Sequence, residues 1–309
     1  FPNAIKCFEN ALKLVPKYVN SLHNLAEIYK EIGEFDKSIN LYTLAVKYEP
    51  ENLMNVFFLS EMKKETLTQG VKEKTKNILS NKEVSLNNLA YGNYLLAKYE
   101  RKTKNYEKEI DYLIKGHSNF YIRNKKVFDI NLKYCFEDVH QIIQNGKIDK
   151  IPSKNKNKIH PIFIFGVPRS GSTLVERIIV SGERTISLGE ETGIIGRYFL
   201  NKVLQKNSLN FGDVNEIRDE LFNLYKERGL ILENSNFTFT DKSLDNYLYI
   251  NFLKEIYPNA KFIHCKRNKL SSIVSILQNN ITQLSWTHHP ENIFKYFDNY
   301  IKVMNDMMK

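Results

Sequence analysis

Two hydrophobic rhythms divide the chain. Up to about residue 148, apolar positions recur at three- and four-residue intervals, the spacing of helices that bury one face. Pro16 and Pro50 close helical stretches 34 residues apart. Between them Leu25, Tyr29, Gly33, Phe35, Tyr42 and Ala45 fall in a regular series of large and small slots, with Leu22 and Ser38 in two more. Residues 4–16 read as the second helix of a preceding repeat, so the chain is expected to start mid-repeat. From Pro161 the rhythm changes. Residues 162–167, 237–240 and 261–265 are short runs of strand character. Leu244, Leu248, Phe252 and Ile256 mark a helix between the last two, stopped by Pro258.

A 34-residue period is that of tetratricopeptide repeats. A weaker copy lies at 89–118, with Tyr106 at the Phe35 position and Gly116 at the Ala45 position. Residues 51–88 are expected to form another helical pair, and 119–148 further helix with Phe128, Leu132 and Phe136 apolar. Each hairpin of such an array buries its face on the next. The expected organisation is a tetratricopeptide-like domain at 1–148, a basic linker at 149–160 interrupted by Pro152, and an α/β domain at 161–309. The array either binds a partner protein or serves as a packing arm. Strand–helix–strand order implies a parallel sheet, with ligands beyond the carboxyl ends of its strands. The fold class is therefore α + α/β, an all-α array followed by a P-loop-like α/β domain.

Unusual polar residues fall at those strand ends. Residues 161–173, PIFIFGVPRSGST, run from a strand into a loop with Gly166 and Gly171 at phosphate-loop spacing and Thr173 at the hydroxyl position. The lysine of that motif is replaced by Ser172, which disfavours nucleoside triphosphate hydrolysis but not anion binding. The helix that follows offers its N-terminus to an anion, and Arg169 adds a charged fork. Asp241 and Lys242 follow the second strand. Lys266 and Arg267 follow the third, with Ser275 two helical turns on, a second anion site separate from the first. Two phosphate sites on one nucleotide suggest a 3′,5′-bisphosphorylated adenosine. The carboxylates of SLGEETGIIGR, Glu190 and Glu191, are candidates for a general base or for charges at a helix start.

These segments resemble the sulfotransferases. GVPRSGSTLVERII is similar to their 5′-phosphosulfate loop and KFIHCKRN with Ser275 to their 3′-phosphate segment. TDKSLDN is similar to the T-D-K-x-P-x-N stretch, with Leu244 in place of proline. The whole chain resembles the bacterial tetratricopeptide-repeat sulfotransferases. The resemblance implies 3′-phosphoadenosine 5′-phosphosulfate (PAPS) as donor, with no metal required. By it, Arg169, Ser170, Gly171, Ser172 and Thr173 hold the 5′ group, and Arg267 and Ser275 the 3′-phosphate. Lys242 contacts the bridging region and, with Arg169, offsets charge on the leaving phosphate. Tyrosylprotein sulfotransferases have a similar G-E-E-T stretch whose second glutamate is the base, which favours Glu191. Many bacterial relatives carry only the first, which keeps Glu190 open. Gly193 stands where those enzymes have arginine, an argument against a peptidyl-tyrosine acceptor. The acceptor classes are glycan, lipid and protein tyrosine. Further strands and a donor-contacting loop are expected beyond Lys309.

Composition changes this picture little. A net charge of +10 favours anionic partners and equally describes a solvated lysine surface; nucleic acid is not expected as a partner. Cys7, Cys135 and Cys265 form no C-x-x-C pair, which argues against disulfides and zinc and points to a reducing compartment, the cytoplasm. No apolar run reaches the ~18 residues of a membrane span. The chain begins with Phe1, so the native N-terminus is expected upstream and a leader there stays open. His264 reads as a packing histidine and His288 and His289 as loop. Trp286 reads as sheet-edge packing or cleft lining, and Glu176 and Arg177 as facing solvent or the repeats. The competing functions are a nucleotide kinase or NTPase, and a non-catalytic repeat scaffold.

Overall fold

A computed structural model describes residues 1–149, 159–182, 186–206, 208–231 and 237–307. The chain divides into two compact units, Phe1–Lys126 with His288–Pro290, and Val127–Thr287 with Glu291–Lys309. The division falls within helix α7 (Tyr106–Lys133), upstream of the 148/149 boundary expected from the sequence. Most of the expected linker, 150–158 with Pro152, lies outside the described residues.

The first unit is built of helical hairpins: α1 (Pro2–Leu14), α2 (Val19–Glu31), α3 (Phe35–Tyr48), α4 (Leu53–Met62), α5 (Gln69–Leu79), α6 (Leu86–Lys102) and the start of α7. The repeat slots explain why these helices can approach. Ala26, Ser38, Tyr42 and Ala45 have no exposed surface. Small side chains let α2 and α3 close on each other, and Tyr42 fills the space toward α4, its ring stacked on Phe58 at 5.9 Å. Val19, Leu22 and Ala45 form a second cluster with Leu12, Leu41 and Tyr48. The expected pair within 51–88 is α4 and α5, joined by a 3-10 turn at Lys64–Thr66. Thr68 and Ser85 cap α5 and α6 by accepting from Val71 N and Asn88 N, both at 3.2 Å.

The hairpin turns repeat as well. Gly33 ends α2 at φ +85°. Its N–H donates to Lys30 O (3.1 Å) and that of Glu34 to Tyr29 O (2.8 Å), a Schellman closure. After α6, Lys104 takes the Gly33 place at φ +61°. Its N–H donates to Arg101 O (3.0 Å), and that of Asn105 to Glu100 O (2.9 Å). The second repeat therefore keeps the turn geometry while losing the glycine that makes it cheap.

In the second unit α7 continues to Lys133, followed by a π-turn at Tyr134–Asp138 and α8 (Val139–Asn145). The helix expected through 148 gives way here to β1 (Lys147–Asp149), which pairs in parallel with β3 (Asn210–Asp213). This small second sheet was not anticipated; strands this short carry no run of apolar residues. The main sheet has the three expected strands, all parallel: β2 (His160–Gly166) lies between β4 (Thr238–Asp241) and β5 (Lys261–Cys265). β2 is buried from Pro161 onward, as its position predicts. Its alternate residues face two layers. Ile162 and Ile164 pack with Val175 and Ile179 of α9 (Ser172–Gly182). Phe163 and Phe165 stack on Phe262 at 5.5 Å and His264 at 5.6 Å.

The remaining helices are α10 (Ile194–Lys206), α11 (Val214–Glu227), α12 (Ile250–Ile256), α13 (Lys269–Gln278) and α14 (Pro290–Met307). The helix expected from Leu244 begins as a 3-10 stretch, Leu244–Tyr249, before α12. Trp286 is buried and stacked on Tyr296 at 3.7 Å. His288, read from the sequence as loop, is fully buried in the first unit and stacked on Phe120 at 4.6 Å. No described helix is long and apolar enough to cross a membrane.

Left-handed backbone at a residue with a Cβ costs roughly 1 kcal/mol relative to glycine. Lys104→Gly is therefore expected to stabilise the repeat unit by about 0.5–1 kcal/mol, read as a rise in the urea midpoint at unchanged slope. A loss of stability would mean that the Lys104 side chain contributes more than its backbone costs.

Candidate active site

Because the three main strands are parallel, their carboxyl ends meet at one edge of the sheet, and the sequence-marked polar residues converge there. The loop after β2 turns sharply, Ser170 N–H donating to Val167 O at 3.1 Å. Arg169 and Gly171 adopt φ +67° and +94°. A Cβ at Gly166 would stand 2.7 Å from Cys265 O of the neighbouring strand, so the chain can leave the sheet here only through glycine. Ser172 and Thr173 open α9. Arg169 Nε donates to Ser275 Oγ on α13 at 3.2 Å, and Arg267 donates to Arg169 O at 2.8 Å. The first loop and the segment after β5 thus adjoin, with Arg169 reaching from one to the other. Ser170 Oγ, inside the loop, is buried and has no partner among the described residues.

The acidic pair is placed by backbone pairing. Residues 187–191 run beside β4 as a strand-like extension: Thr240 N–H donates to Ser187 O (2.9 Å), Lys242 N–H to Gly189 O (3.0 Å) and Glu191 N–H to Lys242 O (2.9 Å). Glu190 and Lys242 are register partners. Gly189 is what permits this approach, since a Cβ there would lie 1.9 Å from Thr240 O. The Lys242 ammonium, on a residue only 4% exposed, meets Glu191 Oε1 at 2.8 Å and Glu190 Oε1 at 3.3 Å.

The two carboxylates differ in surroundings. Glu190 is engaged on several sides, accepting from Thr173 Oγ1 at 3.2 Å and Arg177 at 3.4 Å besides Lys242. Partial burial raises its carboxyl; the charge and hydrogen bond of Lys242, helped by Thr173 and Arg177, outweigh this and hold it below its ordinary value. Glu191 sits at φ +49° with half of its side chain exposed. It is the more accessible of the two, and its left-handed backbone is a strain of the kind that collects at functional sites.

Beneath this surface lies a buried polar network. Asp241, with no exposure, accepts hydrogen bonds from Tyr225 (2.7 Å), Ser243 (2.7 Å), Asn246 (3.0 Å) and Thr192 (3.1 Å). Burial pushes its carboxyl above the ordinary value, and these bonds only partly offset the push. The T-D-K-S-L-D-N stretch is thus a structural hub as well as the source of Lys242. Glu176 requires a correction. Expected to face solvent or the repeats, it is fully buried, its Oε1 accepting from Thr240 Oγ1 at 2.6 Å. Arg177, its neighbour, is exposed and pairs with Glu190. The signal for Glu176 was its place three residues after Thr173 on the same helix face, which turns both toward the acidic segment.

Comparison with known proteins agrees with this architecture. Residues 161–309 match the sequence model of the Sulfotransferase family and residues 19–52 that of the Tetratricopeptide repeat. The chain thus carries a Sulfotransferase-family domain preceded by a Tetratricopeptide repeat. An uncharacterized protein of Aquifex aeolicus (strain VF5) is 24% identical over 90% of this chain and 37% of its own length. Protein-tyrosine sulfotransferase 1 of Danio rerio is 27% identical over 47% of this chain and 42% of its own length. The chain therefore spans well under half of each of these relatives.

Within the sulfotransferase domain, the acidic segment depends on Gly189 clearing Thr240. Gly189→Ala is expected to cost about 1–3 kcal/mol by overpacking. Gly182→Ala, at a helix end where a Cβ meets nothing within 4 Å, should be neutral or slightly stabilising. Urea unfolding of both variants checks the contrast; equal effects would mean that residues 187–191 are not held against β4.

Proposed function

We propose that the chain is an enzyme that moves a sulfuryl group from 3′-phosphoadenosine 5′-phosphosulfate to an acceptor hydroxyl. The observation that carries this reading is the joining of an anion loop to an acid–lysine cluster through one residue, Thr173, which opens α9 and donates to Glu190. The loop suits a bisphosphorylated nucleotide. It holds an unpartnered buried hydroxyl at Ser170, the N–H groups that begin α9, and Arg169, with Arg267 and Ser275 adjoining. In this reading Arg169, Ser170, Gly171, Ser172 and Thr173 hold the 5′ group, and Arg267 and Ser275 the 3′-phosphate.

The donor, when bound, supplies an activated sulfuryl group whose bond to the phosphate breaks as the acceptor oxygen bonds to sulfur. The protein's tasks are to remove the hydroxyl proton and to balance charge. Glu191 takes the proton, being the more accessible carboxylate and within 2.8 Å of the Lys242 ammonium. Glu190, tied to Thr173, Arg177 and Lys242, holds the lysine and the helix start in place. Lys242 and Arg169 put positive charge where the leaving phosphate becomes more negative. Their charges are fixed by β4 and by the loop, so little reorganisation is needed. The acceptor is a glycan, a lipid or a protein tyrosine, and the repeat unit is a surface for an acceptor protein or a second subunit.

Calorimetry tests the donor class. Adenosine 3′,5′-bisphosphate should bind without metal. Arg267→Ala should weaken it about 10–100-fold, the loss of a charge-assisted contact. Preference for magnesium–ATP, insensitive to Arg267, would replace this reading with an NTPase. For the base, Glu191→Gln should lower kcat about 10²–10⁴-fold with bisphosphate affinity unchanged, and Glu190→Gln should have a smaller effect on kcat. The reverse order would move the base to Glu190.

A further inference from the structure

A buried carboxylate outside the proposed reacting set is unaccounted for. Glu176 is fully buried; among the described residues its Oε2 has no side-chain partner, and besides Thr240 the Gly189 backbone N–H steadies the carboxylate. A buried carboxyl with few partners is costly to keep in a core. Such a violation of the rules for a stable core is what a functional constraint leaves behind.

The connections of Glu176 indicate the constraint. Its Oε1 accepts from Thr240 Oγ1 at 2.6 Å, and the same Thr240 oxygen accepts the Gly189 N–H at 3.0 Å. Gly189 immediately precedes Glu190 and Glu191. Thr173, Glu176 and Arg177 stand at i, i+3 and i+4 on α9, one face of the helix. All three act on the same segment, two through Glu190 and one through Thr240 and the Gly189 backbone. The helix whose first turn forms the anion loop therefore also fixes the acidic pair. Lys242 and Glu190 contribute to the electrostatic surroundings of Glu176, whose carboxyl burial raises above its ordinary value.

We propose that Glu176 is a positioning residue. Through the Thr240 hydroxyl it locks the 187–191 segment on β4, and so sets the base relative to the anion loop on the same helix. The idea rests on the sulfotransferase reading for its catalytic consequence but not for its structural one.

The test uses the full chain with Glu176→Ala, Glu176→Gln and Thr240→Val, and two readouts. Hydrogen–deuterium exchange should show faster exchange in 187–193 for Glu176→Ala and Thr240→Val, with the rest of the sheet unchanged. Gln retains an oxygen to accept from Thr240 and should restore protection. Sulfuryl transfer is measured with the best acceptor from 4-nitrophenol, a tyrosine peptide and a glycolipid. In that assay kcat should fall about 10–100-fold in the Ala and Val variants, with KM and the affinity for adenosine 3′,5′-bisphosphate within twofold of wild type, and Gln should recover most of the loss. Two results would overturn the proposal: unchanged exchange at 187–193 in Glu176→Ala, or exchange rising across all three strands in Ala and Gln alike. If wild type transfers no sulfuryl group to any acceptor and binds no bisphosphate, the functional reading fails, and the exchange arm still decides the positioning role.

Discussion

Everything at the active edge depends on the pairing of residues 187–191 with β4. β4 lies at the margin of a three-stranded sheet, where its backbone groups would otherwise lack partners. The segment supplies them, with Thr240 and Lys242 each donating to it. In a parallel pairing, register partners project to the same face, so the pairing of Glu190 with Lys242 brings their side chains together. The acid–lysine cluster is thus a product of backbone geometry. Its two ends are pinned independently. Gly189 is held by contact with Thr240, and Thr192 by its hydrogen bond to Asp241.

The electrostatics follow from this placement. A lysine only 4% exposed needs compensation, because removing a partner from a buried ion pair costs about 3–5 kcal/mol. Lys242 finds two carboxylates. Glu190 in turn draws on Thr173 and Arg177, so the charge of β4 is balanced across to α9. On the other side of the loop, Arg169 and Arg267 stand together near Ser275. Arg267 reaches the Arg169 carbonyl, and the two side-chain charges gain nothing from one another. Two like charges brought this close are what the bisphosphate of the proposed donor would offset.

Much of this was legible in the sequence, for identifiable reasons. β2 was visible because a strand buried on both faces is apolar throughout, and β4 and β5 showed only as short runs with Phe239 and Phe262–Ile263 between polar residues. The repeat was visible because Ser38 and Ala45 mark contacts too close for larger side chains. The candidate site residues were found because charged groups at strand ends stand out against apolar runs. Glu176 was missed for the opposite reason. A charged residue on a helix is ordinarily solvated, and only the Thr240 hydroxyl, more than sixty residues away, reveals that this one is not. Asp241 was similarly read through its neighbour Lys242, although its four hydrogen bonds make it the deeper anchor. β1 and β3 left no trace, being too short for periodicity to register.

Thr173 shows how one loop can host different chemistry. In a nucleoside-triphosphate loop the hydroxyl at this position holds magnesium, and the preceding lysine reaches the phosphates. Here the preceding residue is Ser172, nearly buried, and the Thr173 hydroxyl donates to the Glu190 carboxylate. The nearby positive charge comes from Arg169 within the loop and from Lys242 on the adjacent strand. Moving the cation from the loop to β4 also moves it next to a pair of carboxylates, where one group can balance charge while another takes a proton.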